Sequence, residues 1–113
     1  MPFINVKTNR EVTKEKSELI RTALGKDISA LPGKSEMWLM ISIEDNCNMY
    51  FRGTDEPAAM VQVSIYGNAP SDAKNDLTSR ITDMLSSTLD ISPDRIYVSY
   101  AETPDWGWNG SNL

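Results

Sequence analysis

Residues 58–66 read Ala-Ala-Met-Val-Gln-Val-Ser-Ile-Tyr, residues 71–89 carry polar positions broken by Leu77, Ile81, Met84, Leu85 and Thr88, and residues 95–101 read Arg-Ile-Tyr-Val-Ser-Tyr-Ala. These three segments decide the fold. In the first, Ala59, Val61, Val63 and Ile65 recur every second residue, the period of a strand with one buried face. In the second, the apolar residues fall on one face of a helix. In the third, Ile96, Val98 and Tyr100 alternate again. Ser92-Pro93-Asp94 makes the turn before it, because Pro presets φ while Ser and Asp bond to nearby backbone. The order is strand, helix, strand.

The first half of the chain repeats that order. Phe3 to Thr8 alternates, with Ile4, Val6 and Thr8 opposite Phe3, Asn5 and Lys7. From Thr13, a suitable N-cap, Ile20, Leu24, Ile28 and Leu31 follow helical spacing. Gly25 inside this helix costs about 1 kcal/mol relative to Ala. Pro32-Gly33 ends it, and Met37 to Ile43 then predicts a strand with Met37, Leu39, Ile41 and Ile43 facing the core. Residues 1–113 thus form one domain of two pseudo-repeats, about 2–45 and 57–101, joined by a polar link. The fold class is α/β (α+β): two right-handed βαβ units form a four-stranded mixed sheet with both helices on one face.

The other sheet face carries Trp38, Met40 and Ser42; Ala58, Met60, Gln62 and Ser64; and Tyr97, Ser99 and Ala101. It is too apolar for open water, so it predicts an oligomer in which sheets face one another. With 113 residues, the chain should fold to roughly 6,200 Å² of accessible surface, about a third of what its extended form exposes. No disulfide or metal staple is required. A net charge of −5 opposes nucleic acid and anionic membranes as partners. Histidine is absent, which removes the commonest metal ligand and general base, and the lone Cys47 excludes an internal disulfide or a Cys-x-x-Cys pair. No Ser/His/Asp set, P-loop, dinucleotide fingerprint or metal-ligand cluster occurs, so neither a cofactor nor a metal is expected. The start Met-Pro-Phe-Ile-Asn-Val-Lys has the pattern of neither a signal peptide nor a membrane span, and reads as cytoplasmic.

One candidate base remains. Methionine before a small residue such as proline is normally removed, which would leave Pro2 as a secondary amine. An α-amino group titrates near ~8, and burial or a nearby cation lowers that further. Such an amine is a competent general base near neutrality, although Met-Pro is also a common chain start.

Pro2 opening a strand, Thr8-Asn9, Pro32-Gly33-Lys34, Val63-Ser64-Ile65-Tyr66-Gly67, Ile91-Ser92-Pro93-Asp94-Arg95-Ile96-Tyr97 and Gly107-Trp108-Asn109-Gly110-Ser111 occur in this order. Together they resemble the macrophage migration inhibitory factor family of the tautomerase superfamily, over essentially the whole chain. The resemblance implies a homotrimer of βαβ repeats around a central channel, with active sites at subunit interfaces and the N-terminal proline as acid/base. It makes Pro2 the catalytic residue and Lys34 the ligand of the substrate carboxylate. It makes Ile65 the backbone N–H donor and Tyr97, from a neighbouring subunit, a pocket wall. Ser99 stands where an asparagine is typical, Trp38 replaces a tyrosine, Trp106 takes an aliphatic position beside Trp108, and Leu113 replaces a phenylalanine. Tyr66 interrupts the usual Ser-Ile-Gly. Pro57-Ala58-Ala59-Met60 stands in place of the Cys-x-x-Cys of some members, so a thiol-oxidoreductase has no residues here.

The function this implies is keto–enol tautomerisation of phenylpyruvate or a similar aryl 2-oxo acid, with Trp38, Trp106 and Trp108 walling the site. The alternative is a cytokine-like, host-modulating protein that binds a receptor, exported without a signal peptide. Asp45 matches an acidic residue tied to that role, but its basic partner is displaced to Arg10.

Overall fold

A computed structural model describes all 113 residues. Strand β1 (Pro2–Thr8) leads into helix α1 (Lys14–Asp27), strand β2 (Met40–Glu44), strand β3 (Ala59–Tyr66), helix α2 (Ser71–Leu89) and strand β4 (Ile96–Thr103). A short hairpin, β5 (Gly107–Trp108) and β6 (Ser111–Asn112), ends the chain. The main sheet has the order β2-β1-β3-β4. β1 pairs parallel with β2, β3 pairs parallel with β4, and the two units meet through antiparallel β1 and β3. The accessible surface is 6587 Å², close to the expected value.

Ile4, Val6, Val61, Val63, Ile65 and Ile96 pack from one sheet face against Ile20, Leu24, Ile28 and Leu31 of the first unit and Leu77, Ile81, Leu85 and Leu89 of the second. Thr13 caps α1 as expected, its side chain accepting from the Lys16 N–H. The α-helix stops at Asp27, and Ile28–Ala30 tighten into a 3₁₀ turn that still buries Ile28. Gly25 is buried where Glu36 crosses over the helix, so a side chain there would meet that carboxylate.

Two expectations are corrected. The strand expected over Met37 to Ile43 begins only at Met40, because Glu36–Trp38 form a 3₁₀ turn closed by Leu39 N–H to Glu36 O. Met37 leaves the core as a result and is 82% exposed. Ala58, expected on the uncovered face, is buried just before β3, where Thr8 Oγ1 donates to its carbonyl and its own N–H donates to Asn9 Oδ1. Thr8-Asn9 thereby fastens the end of β1 to the start of β3.

Candidate active site

Pro2 is buried at the first position of β1, directly opposite Ile65. A cavity of about 380 Å³ opens beside it, lined by Met1–Phe3, by the Met37–Met40 segment and by Trp106–Trp108. That volume suits a small organic ligand. The turn of Glu36–Trp38 and the β5–β6 hairpin bring Trp38 and Trp108 edge to face, with ring centroids 5.2 Å apart. Asn109 and Gly110 hold φ of 53° and 92°. This Asn-Gly pair gives the hairpin its two-residue turn, since few other residues accept left-handed backbone. Trp106 is anchored beside them by its carbonyl, which accepts from the Leu113 N–H at 2.9 Å.

The polar groups converge on the chain start. Met1 O accepts from the Tyr66 N–H at 3.0 Å, and Lys34 Nζ donates to Tyr66 O at 3.1 Å. Partial burial, and then the Lys34 charge, hold the Met1 amine below its ordinary value. Both act by disfavouring the cation.

Ile65 places its side chain in the core. Successive N–H groups of a strand point to opposite neighbours. The Tyr66 N–H faces Met1 and the Gly67 N–H bonds Thr103 O of β4, so the Ile65 N–H faces β4. The donor aimed at the chain start is therefore that of Tyr66, which continues β3 without a bulge and pairs with Thr103.

Pro2, Lys34, Trp38, Trp106 and Trp108 are brought together within one protomer. Tyr97 and Ser99 are not. Tyr97 aligns through Met60 with Lys7, five residues along β1 from Pro2, or roughly 17 Å. It is exposed and packs edge-on against Phe51. Ser99 lies mid-sheet, aligned with Gln62 and Asn5.

The loop that carries Phe51 is held by a residue whose importance composition concealed. Arg95 is 9% exposed and donates to four carbonyls, those of Phe51, Thr54, Glu56 and Pro57, at 2.9–3.3 Å. It forms no ion pair. Asp45 accepts from the Val12 N–H and Arg10 donates to Leu89 O, so both have bonds within the chain. No three Cys, Asp or Glu side chains gather as metal ligands, and no helix is long and apolar enough to cross a membrane.

Comparison with known proteins agrees with this architecture. The family model for macrophage migration inhibitory factor matches residues 1–113. The chain belongs to that family, and with it to the tautomerase superfamily. It is 27% identical to mouse macrophage migration inhibitory factor over 92 residues, 80% of each chain. Among solved structures it resembles Leishmania major MIF2, at 30% identity and a TM-score of 0.93, covering 100% of this chain and 97% of that one. It also resembles the Prochlorococcus marinus homologue, at 28% identity and a TM-score of 0.88 with 97% of both chains covered. The fold and the family are those of a tautomerase-like isomerase.

Proposed function

We propose that the chain is a keto–enol tautomerase of phenylpyruvate-type 2-oxo acids, with the Pro2 nitrogen as base and acid. The observation that carries this reading is the convergence of the Pro2 position, Lys34 and the Tyr66 N–H beside a tryptophan-walled cavity. While Met1 is attached, the Pro2 nitrogen is an amide and cannot accept a proton. Its removal turns that nitrogen into a secondary amine, takes away Met1 O and frees the Tyr66 N–H.

The Pro2 amine then stands one residue along from the Met1 amine, whose cation burial and the Lys34 charge disfavour. A larger neutral fraction near pH 7 follows. Pro2 takes a proton from the carbon next to the carbonyl and returns it to the carbonyl oxygen, so the Pro2 amine ends neutral and no other bond breaks. Lys34 and the Tyr66 N–H bind the carboxylate, Tyr66 taking the part that the family resemblance gives to Ile65. Trp38, Trp106 and Trp108 enclose the ring and exclude water.

Tyr97 reaches this site from a neighbouring copy in a homotrimer, since in its own protomer it lies at the far end of the sheet. Ser99 lines the interface that Tyr97 crosses. The receptor-binding reading draws no support from Asp45 and Arg10, whose polar groups have partners inside the chain.

The test is ketonisation of phenylpyruvate and 4-hydroxyphenylpyruvate by untagged protein whose loss of Met1 is verified by mass spectrometry. Wild type should turn over, and Pro2→Gly should lose at least about a hundredfold. Full activity in a chain that retains Met1 or carries an N-terminal tag would overturn the mechanism.

A further inference from the structure

We propose that Arg95 is a positioning residue of the tautomerase site: it holds the loop from which Phe51 fixes the ring of Tyr97. The inference rests on the reading above, in which Tyr97 walls the site of a neighbouring copy, and it names what sets that wall in place.

Tyr97 is 58% exposed, and the ring packed edge-on against it is Phe51, with 5.0 Å between centroids and 71° between planes. An apolar cleft of about 120 Å³ lies beside it, lined also by Met49, Tyr50 and Met60, and offers the Tyr97 ring a second place to rest. An edge-on aromatic pair favours its own arrangement by about three- to tenfold. The position of Phe51 therefore decides which way the Tyr97 ring faces.

Phe51 lies outside the main sheet. It opens a tight reversal closed by the Phe51 N–H to Thr54 O at 2.9 Å and the Thr54 N–H to Phe51 O at 3.1 Å. Arg52 and Gly53 form its tip with φ of 52° and 74°. A lone turn of this kind is marginal in water, and Arg95 ties it down. Its bonds to the Phe51 and Thr54 carbonyls grip both ends of the reversal, and those to Glu56 and Pro57 grip the chain that leads on to β3. Its charge also lies over the Phe51 ring. The Arg52–Asp94 ion pair is exposed and adds little. Arg95 immediately precedes β4 and stands two residues before Tyr97, so the clamp and the ring it serves share one segment.

The test uses the untagged full chain with Met1 removed and compares wild type with Phe51→Leu, Phe51→Tyr and Arg95→Lys. Phe51→Leu should raise KM for phenylpyruvate about three- to tenfold, with kcat and the acid limb of kcat/KM unchanged, because Pro2 and Lys34 are untouched. Phe51→Tyr keeps the ring edge and should restore KM. Arg95→Lys keeps the charge without the planar fork and should raise KM as Phe51→Leu does. Neither change should add to the effect of Tyr97→Leu in the double variant. Fluorotyrosine labelling reads the ring directly: the fluorine NMR line of Tyr97, assigned by its loss in Tyr97→Phe, should shift in both Phe51→Leu and Arg95→Lys. An unmoved line in Arg95→Lys overturns the positioning role. A moved line with KM unchanged overturns its link to the site. A loss in kcat, or one that persists beside Tyr97→Leu, makes Arg95 structural only and overturns it as well. A wild type that does not turn over 2-oxo acids overturns the tautomerase reading and this role together, and is told apart from the other failures because the fluorine line still moves.

Discussion

Replacing Arg95 by Met should unfold the chain more readily than any surface change, because Arg95 is a buried cation whose side-chain hydrogen bonds all go to backbone carbonyls. It follows the Ser92-Pro93-Asp94 turn and sends its N–H groups to Phe51, Thr54, Glu56 and Pro57, with its guanidinium carbon 5.2 Å from the Phe51 ring centroid. A hydrogen bond to a charged group contributes about 1.5–3 kcal/mol. Four do not add, because one guanidinium is desolvated once for all of them and that cost offsets part of the gain. Thr54 and Glu56 are exposed, so their carbonyls recover water when the side chain is removed. Those of the half-buried Phe51 and Pro57 recover less.

The net loss expected for Arg95→Met is about 3 kcal/mol, or a fall in Tm of about 12 °C for a chain of this size. Lys at this position keeps the charge but not the planar fork, and should lose about half as much. Urea unfolding at one fixed protein concentration measures this, since self-association makes stability depend on concentration. An Arg95→Met protein within about 1 kcal/mol of wild type would refute the reasoning and reduce Arg95 to a surface cation that happens to be covered.

Three further changes probe the site and its supports. Gly25→Ala should stabilise by about 0.5 kcal/mol, because the gain in helix propensity exceeds the weak Arg21–Glu36 attraction given up when Glu36 swings aside; a destabilisation above about 1 kcal/mol in thermal unfolding would mean that Glu36 cannot move. Glu102 is held below the usual carboxylate range by the Ala69 N–H and by Lys74. Its stabilising contribution is therefore complete above the unfolded value of 4.5 and is lost as pH falls through the lower folded value, so Glu102→Gln should flatten that part of the acid-unfolding curve. Lys34→Met should move the acid limb of kcat/KM to higher pH, since the base must be neutral and the Lys34 charge, which lowers the neighbouring Met1 amine, would be gone; an unmoved limb with a raised KM would leave Lys34 only a carboxylate anchor.

Period-two and helical patterns were legible wherever the partner of a residue is the central core, as with Val61, Val63 and Ile65 against Leu77, Ile81 and Leu85. They misled at Met37 and Trp38, because the Glu36–Trp38 turn leaves Met37 exposed and carries Trp38 to Trp108 of the C-terminal hairpin, and an apolar side chain does not announce which neighbour it will meet. The hairpin itself had a signal in Asn109-Gly110, the dipeptide that tolerates two left-handed residues in succession. Its strands are only two residues long, too short for any periodicity to mark. Arg95 had no signal, since a charged residue is ordinarily read as exposed and only folding reveals four carbonyls converging on it.

The backbone donor shows where side-chain reading ends. Which N–H of β3 faces the chain start depends on ladder parity, which Ile65 and Tyr66 do not encode by type. The bond from the Tyr66 N–H to Met1 O settles the parity. In the mechanism proposed above, the carbonyl that leaves with Met1 is the one that occupies this donor, so one cleavage would supply both the base and a hydrogen-bond donor for an anion. Lys34 stands on the carbonyl of that same residue, within the reach of its charge on the terminus. A substitution of Tyr66 by Pro would remove the N–H, and should raise KM for 2-oxo acids in chains that still fold while leaving the acid limb of kcat/KM in place.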